Sequence, residues 1–161
     1  MEKSNIHFAK ELAELLKPFE QSLAQRKAEK LKLIIHAGTP KTGTTSIQNY
    51  LDKKQGKLRR KGILYPHNHK NLNNSNAPKH QWFEKNLATT HVENFLENFK
   101  NIVAQVKEDT HTIILSSEGI YNYWWDFPDA SKDLLGDLAK LFDVKMWVWF
   151  REPVAFIESY Y

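Results

Sequence analysis

Apolar residues along this chain return first at helical and then at strand spacing, several times over. Leu12, Leu15, Leu16, Phe19 and Leu23 recur at helical intervals, which predicts an amphipathic helix within residues 1–30, kinked or broken where Pro18 lacks an amide hydrogen. Leu31 to His36, with Leu33, Ile34 and Ile35 at its centre, fits a buried strand. Ile47, Tyr50, Leu51 and Leu58 mark a helix that Gly62 ends before a short strand, Ile63-Leu64-Tyr65-Pro66. From Pro66 to His80 asparagine and histidine dominate and apolar residues nearly vanish, so this stretch reads as a loop. Phe95, Leu96, Phe99, Ile102, Val103 and Val106 predict a strong helix, and His111 to Ser116 a strand. Leu134, Leu135, Leu138, Leu141 and Phe142 predict another helix, and Val144 to Phe150 a last, nearly all-apolar strand. Pro153 is then well placed to open a final helix at Val154. Strands alternating with helices predict an α/β fold whose parallel sheet is covered on both faces. Ligands of such sheets gather outside the carboxyl ends of the strands.

Bulk properties narrow the classes. A length of 161 residues suits one domain with a real core, 1–161, in which 1–30 form an N-terminal helical segment. The apolar content of 41% with 26% charged residues describes a globular chain rather than a disordered one. Cysteine is absent, which excludes disulfides, a thiol nucleophile and cysteine-based zinc sites. No apolar run approaches the length of a membrane span, and the start Met1-Glu2-Lys3-Ser4-Asn5 lacks the apolar centre of a signal peptide. The expected location is therefore cytoplasmic, with no membrane span. Much of the net charge of +4 sits in Lys53, Lys54, Lys57, Arg59, Arg60 and Lys61. Such a run reads as a solvated helix face and exit loop, and no nucleic-acid partner is expected.

The chemistry concentrates in Gly38-Thr39-Pro40-Lys41-Thr42-Gly43-Thr44-Thr45-Ser46, between the first sheet strand and a helix. A strand feeding such a turn and then a helix start aims backbone amides and the positive end of the helix dipole at one point, where an anion can sit. In the nucleoside triphosphatase loop, G-x-x-x-x-G-K-[ST], the lysine follows the second glycine. Here Gly38 and Gly43 keep the spacing, but Thr44 fills the lysine slot and Lys41 lies inside the loop. That displacement argues against an ordinary ATPase or GTPase. A nucleotide kinase or triphosphatase remains as a rival reading, resting on the glycine spacing and Thr45.

The order Pro-Lys-Thr-Gly-Thr-Thr-Ser resembles the phosphosulfate-binding loop of the sulfotransferases that use 3'-phosphoadenosine 5'-phosphosulfate (PAPS). Phe150-Arg151-Glu152-Pro153 with Ser159, eight residues after Arg151, resembles the same family's 3'-phosphate site. The resemblance, nearest the bacterial, carbohydrate-type members, implies a three-layer α/β/α fold with a central parallel sheet, of the P-loop nucleoside triphosphate hydrolase kind. It implies that Pro40, Lys41, Thr42, Gly43, Thr44, Thr45 and Ser46 hold the 5'-phosphosulfate, that Lys41 is the catalytic lysine, and that Arg151 and Ser159 hold the 3'-phosphate. PAPS would be the co-substrate, no metal is needed, and the acceptor would be a carbohydrate or other small molecule. The resemblance runs from the first sheet strand to Tyr161 and covers the front part of the family's domain, so a shortened, inactive binding remnant is the non-enzyme alternative.

Transfer to an alcohol also needs a base within reach of the acceptor hydroxyl. Glu118, after the strand that ends at Ser116, is the leading candidate, as base or as a hydrogen-bonded wall residue. His36, His67, His69 and His80 are weaker ones. His67 and His69 lack the partners of a metal site, and none is expected. Tyr121, Tyr123, Trp124 and Trp125 read as core or crevice wall before they read as an acceptor platform. A short sheet with exposed apolar surface is compatible with a homo-oligomer.

Overall fold

The computed structural model describes residues 2–25, 30–39, 41–67, 78–89, 92–150 and 152–158. In chain order the elements are α1 (Glu2–Gln25), β1 (Lys32–His36), α2 (Thr44–Lys53), α3 (Gln55–Arg59) and β2 (Ile63–Leu64). They continue with α4 (Gln81–Thr89), α5 (Val92–Val103), β3 (Thr112–Ser116), α6 (Gly119–Tyr123), a 3-10 turn at Trp124–Asp126, α7 (Asp129–Leu141), β4 (Asp143–Trp147) and α8 (Pro153–Glu158). The fold is α/β. Its four strands lie in the order β2-β3-β1-β4, every pair parallel. Lys32 pairs with Thr112 on one side and Asp143 on the other, and the register runs without slip to His36, Ser116 and Trp147.

Strand periodicity divides the core. Leu33, Ile35, Ile113 and Leu115 point to one face, where they join Phe8, Leu12, Phe95, Phe99, Leu134 and Leu138 from α1, α5 and α7. Ile34 and Ile114 point to the other, where Tyr65 and the partly buried Leu51 and Leu58 cover them. Helices thus lie against both faces, with the larger share of apolar burial on the first. Edge-on and tilted rings, Phe8 with Phe95 and Phe99, and Trp82 with Phe83, Phe95 and Phe99, knit that side together. Each such pair adds about 0.5–1.5 kcal/mol beyond its buried area.

Several boundaries differ from the sequence expectation, each for a local reason. α1 continues through Pro18 without a break. Its apolar side before the proline is anchored by Phe8 and Leu12, and Lys100 on α5 reaches Glu11 at 3.0 Å, so one missing hydrogen bond does not end the helix. The helix expected through Leu58 divides at Lys54 into α2 and α3. Ladder pairing in β2 stops after Leu64, and further along β3 His80 lies alongside instead, its amide donating to the Ser116 carbonyl at 2.8 Å. The last strand ends at Trp147 rather than Phe150. Beyond it the chain is laced to the loop after β1, through Thr39 N–H to the Trp149 carbonyl at 3.2 Å, and Phe150 meets the Tyr121 ring edge-on.

Connections fix where a ligand can sit. The chain leaves β1 toward β2 on one side of the sheet and leaves β3 toward β4 on the other. The neighbouring carboxyl ends of β1 and β3 therefore form the topological switch point, the crevice in which open α/β sheets bind ligands. Among the described residues no helix is long and apolar enough to cross a membrane.

Candidate functional site

Two loops meet at this switch point, residues 37–43 after β1 and residues 117–118 after β3. Lys41 (φ 60°) and Gly43 (φ 82°) both take left-handed backbone, which for lysine costs about 1–2 kcal/mol and folds the chain sharply ahead of α2. Gly43 is the N-cap of α2 and brings no side chain, so among the described residues no capping oxygen is recorded on the first-turn amides beside the loop. The loop is tied at its outer side. Thr39 Oγ1 donates to the Trp149 carbonyl at 3.0 Å, the Ala37 amide to the Trp147 carbonyl at 2.8 Å, and Thr42 Oγ1 to the Thr39 carbonyl at 2.5 Å. A Cβ on Gly38 would strike the Thr44 methyl, and would stand 3.3 Å from Thr42 Oγ1 and 3.4 Å from His36 Nε2. The inner side of Gly38 is thus where three side chains converge.

Thr44 joins the two loops. Buried at the start of α2, its hydroxyl donates to Glu118 Oε1. Glu118 itself is half-buried at the turn into α6. That turn is held from behind by Glu84 of α4, whose carboxylate accepts from Ser117 Oγ and from the Gly119 amide. Burial pushes the Glu84 carboxyl above its usual range, against the pull of those two hydrogen bonds and of Lys79, and the nearby Glu118 pushes it further up. A Cβ on Gly119 would meet the Glu84 carboxylate, so a larger residue here would displace that carboxylate from the turn.

Beneath the first loop lies a buried polar group. His36 Nδ1 is 2.8 Å from Ser116 Oγ, and Gln48 Nε2 of α2 donates to the same oxygen at 3.0 Å. Nearby, the Tyr65 hydroxyl donates to the Pro78 carbonyl at 2.5 Å. His80 accepts from the Ser116 amide through Nδ1 at 3.0 Å and faces the Pro66 carbonyl through Nε2 at 3.1 Å. Burial lowers the His36 value below its ordinary 6.5, with Glu118 opposing. Among the described residues, His36 Nε2 and Gln48 Oε1 have no hydrogen-bond partner.

The sequence-predicted residues distribute as follows. Thr44 and Glu118 are in contact; Lys41, Gly43, Thr45 and Ser46 are exposed on the loop and the first turn of α2, and Thr42 is half-buried. Pro40, Arg151 and Ser159 lie outside the described residues, as does His69. His67 is exposed, and its backbone amide donates to Gln105 Oε1. His80 is buried with both ring nitrogens engaged, which removes it as a base. The aromatic group after Glu118 divides: Trp124 packs against the core and Phe127, Tyr123 is exposed, and Tyr121, Trp124 and Trp125, with Ile120, Met146 and Val148, line an apolar pocket of about 230 Å³, where Trp125 is 88% exposed. Of the basic run, Arg59 bonds the Gln105 carbonyl, and its other members are exposed. No group of histidines and acids suited to a metal ion occurs among the described residues. Ser116 belongs to a strand exit that the sequence marks as facing the crevice, whereas Glu84 and Gln48 were not legible as site residues, since each acts through a partner distant in sequence. No family model, curated protein or solved structure matches the chain.

Proposed function

We propose that this chain is a PAPS-dependent sulfotransferase domain of P-loop-like three-layer α/β/α fold, acting on a hydroxyl of a carbohydrate or other small molecule. The observation that carries the reading is the Thr44–Glu118 hydrogen bond, which fixes a carboxylate beside the N-terminus of α2 at the switch point. In this scheme the acceptor oxygen attacks sulfur and the bond from sulfur to the bridging phosphate oxygen breaks. The acceptor proton passes to Glu118, whose Oε1 is held by Thr44. The electron pair leaves on adenosine 3',5'-bisphosphate, and Lys41 with the loop amides stabilises the charge that develops there. Arg151 and Ser159 enter on their sequence pattern alone, as ligands of the 3'-phosphate. A magnesium-dependent triphosphatase is less well supported, because Thr44 stands where the lysine of that loop would be and is turned to Glu118.

Calorimetry tests the binding half. Adenosine 3',5'-bisphosphate should bind more tightly than ATP with magnesium, and equal or reversed affinities would overturn the reading. In a turnover assay with radiolabelled sulfate donor and a panel of sugars, phenols and glycolipids, Lys41→Ala and Glu118→Gln should each lower the rate about 100-fold or more. Binding of the bisphosphate with no turnover on any acceptor would identify a binding module instead.

A further inference from the structure

We propose that His36 takes up a proton when the loop between β1 and α2 receives an anion, with Nε2 donating to that anion from the floor of the loop. The inference rests on the anion-cradle part of the reading above and needs neither turnover nor the 3'-phosphate residues.

Hydrogen-bond bookkeeping leads to it. Ser116 Oγ accepts from Gln48 Nε2 at 3.0 Å and lies 2.8 Å from His36 Nδ1. We place the proton of neutral His36 on Nδ1, donating to Ser116 Oγ, the tautomer that the ring-nitrogen signals read directly. Nε2 then presents a bare lone pair beneath Gly38, without a partner among the described residues. The residue is 2% exposed. A buried polar atom without a partner costs about 1–3 kcal/mol, and it is placed where an anion held by the loop would draw near. A lone pair repels an anion, whereas an N–H attracts it. Protonation at Nε2 converts the one into the other and leaves the Nδ1 bond to Ser116 intact.

The charges around His36 favour this response. Glu118, from the turn after β3, is the acid that already stabilises the protonated ring, and burial opposes it. The neighbours from β3 and α2 are the neutral Ser116, Gln48 and Thr44, and β4 contributes the Trp147 backbone paired with His36. His80 lies one hydrogen bond further away, through the Ser116 amide, with the Tyr65 ring edge-on against it. Lys41 is on the same loop with its side chain exposed. An added anion a few ångströms from the ring raises a histidine's affinity for protons by about 1–3 pH units. By linkage, the protonated form then binds the anion about 10-fold or more tightly.

Sulfate is the probe of choice because it does not titrate near neutrality, so any proton taken up belongs to the protein. The intact chain is labelled uniformly with ¹⁵N, and the His36 ring nitrogens are followed through a pH titration with and without saturating sulfate, while the Gly43 and Thr44 amides report occupancy. Without sulfate His36 should show the neutral Nδ1–H form over most of the range. With sulfate it should show the imidazolium form, and its midpoint should move up by about one pH unit. Occupied loop amides with an unmoved midpoint, or a switch to a neutral Nε2–H form, would overturn the proposal and leave the cradle standing. Loop amides that ignore sulfate would overturn the cradle and the proposal with it. In His36→Gln the sulfate affinity should lose its rise toward acid pH; retention of the full rise would count against His36.

Discussion

At the scale of single residues, the site is governed by what glycine permits and by what burial does to one imidazole. Gly38 has no space for a Cβ, because the Thr44 methyl occupies it. Gly38→Ala should push Thr44 away from Glu118 at a cost of about 1–3 kcal/mol, read as a lower midpoint in urea, and should weaken sulfate binding as well. Loss of stability without loss of binding would mean that the contact between Thr44 and Glu118 does not shape the loop. His36 predicts a pH effect of definite sign. Its folded-state value lies below 6.5, so the folded protein holds fewer protons there than the unfolded chain. Its contribution to stability is whole above about 6.5 and is lost as pH falls through the folded value. Urea midpoints should therefore decline on the acid side of 6.5, and His36→Gln should flatten that part of the profile.

At the scale of elements, the question is what holds the turn that presents Glu118. α6 is a short helix with no side-chain cap from its own N-cap residue, and Glu84 on α4 supplies the acceptor instead. The Glu84 value is raised above 4.5, so its contribution is whole below that value and is lost as pH rises through the folded one. Glu84→Gln can keep both contacts, its oxygen accepting from the Gly119 amide and its nitrogen donating to Ser117. It should change stability near neutrality by less than about 1 kcal/mol and remove the rise toward acid pH, whereas Glu84→Ala strands both donors and should cost about 1–3 kcal/mol. Thermal melts of the two variants across pH distinguish these outcomes. Nothing in the sequence pointed to this cap, because the residues that meet are joined only by the fold. The strands were legible to within a few residues, since buried parallel strands leave continuous apolar runs such as Leu33-Ile34-Ile35 and Ile113-Ile114-Leu115. α4 and α6 were not. α4 follows a polar stretch and carries a short apolar pattern, and α6 is a single five-residue turn of mixed aromatics. The turn between β1 and α2 was legible because its residues are contiguous, while the hydrogen-bonded floor of His36, Gln48 and Ser116 draws on three separate segments.

At the scale of the whole molecule, the two edges of the sheet differ. β2 is only two residues long and its line is taken up by His80, which leaves little edge to pair. β4 has no partner beyond β1 among the described residues, and it exposes Lys145, Met146 and Trp147, followed by Trp149 and Phe150, the last 69% exposed. Apolar edges of this kind pair with other chains. The 161-residue chain should therefore associate as its concentration rises, and Trp147→Lys together with Met146→Lys should return it to a monomer in sedimentation velocity. A single monomeric species at every concentration would refute this. The same edge bears on the site, because the Trp147 and Trp149 carbonyls accept from the Ala37 and Thr39 amides and hold the outer side of the loop. Covering β4 should then slow hydrogen exchange at Ala37 and Thr39 in the associated form, whereas the double lysine variant should exchange at one rate at all concentrations. If association proceeds and those two amides are unaffected, the loop is held by its own turns and by α2 alone, and the edge is mechanically separate from the site.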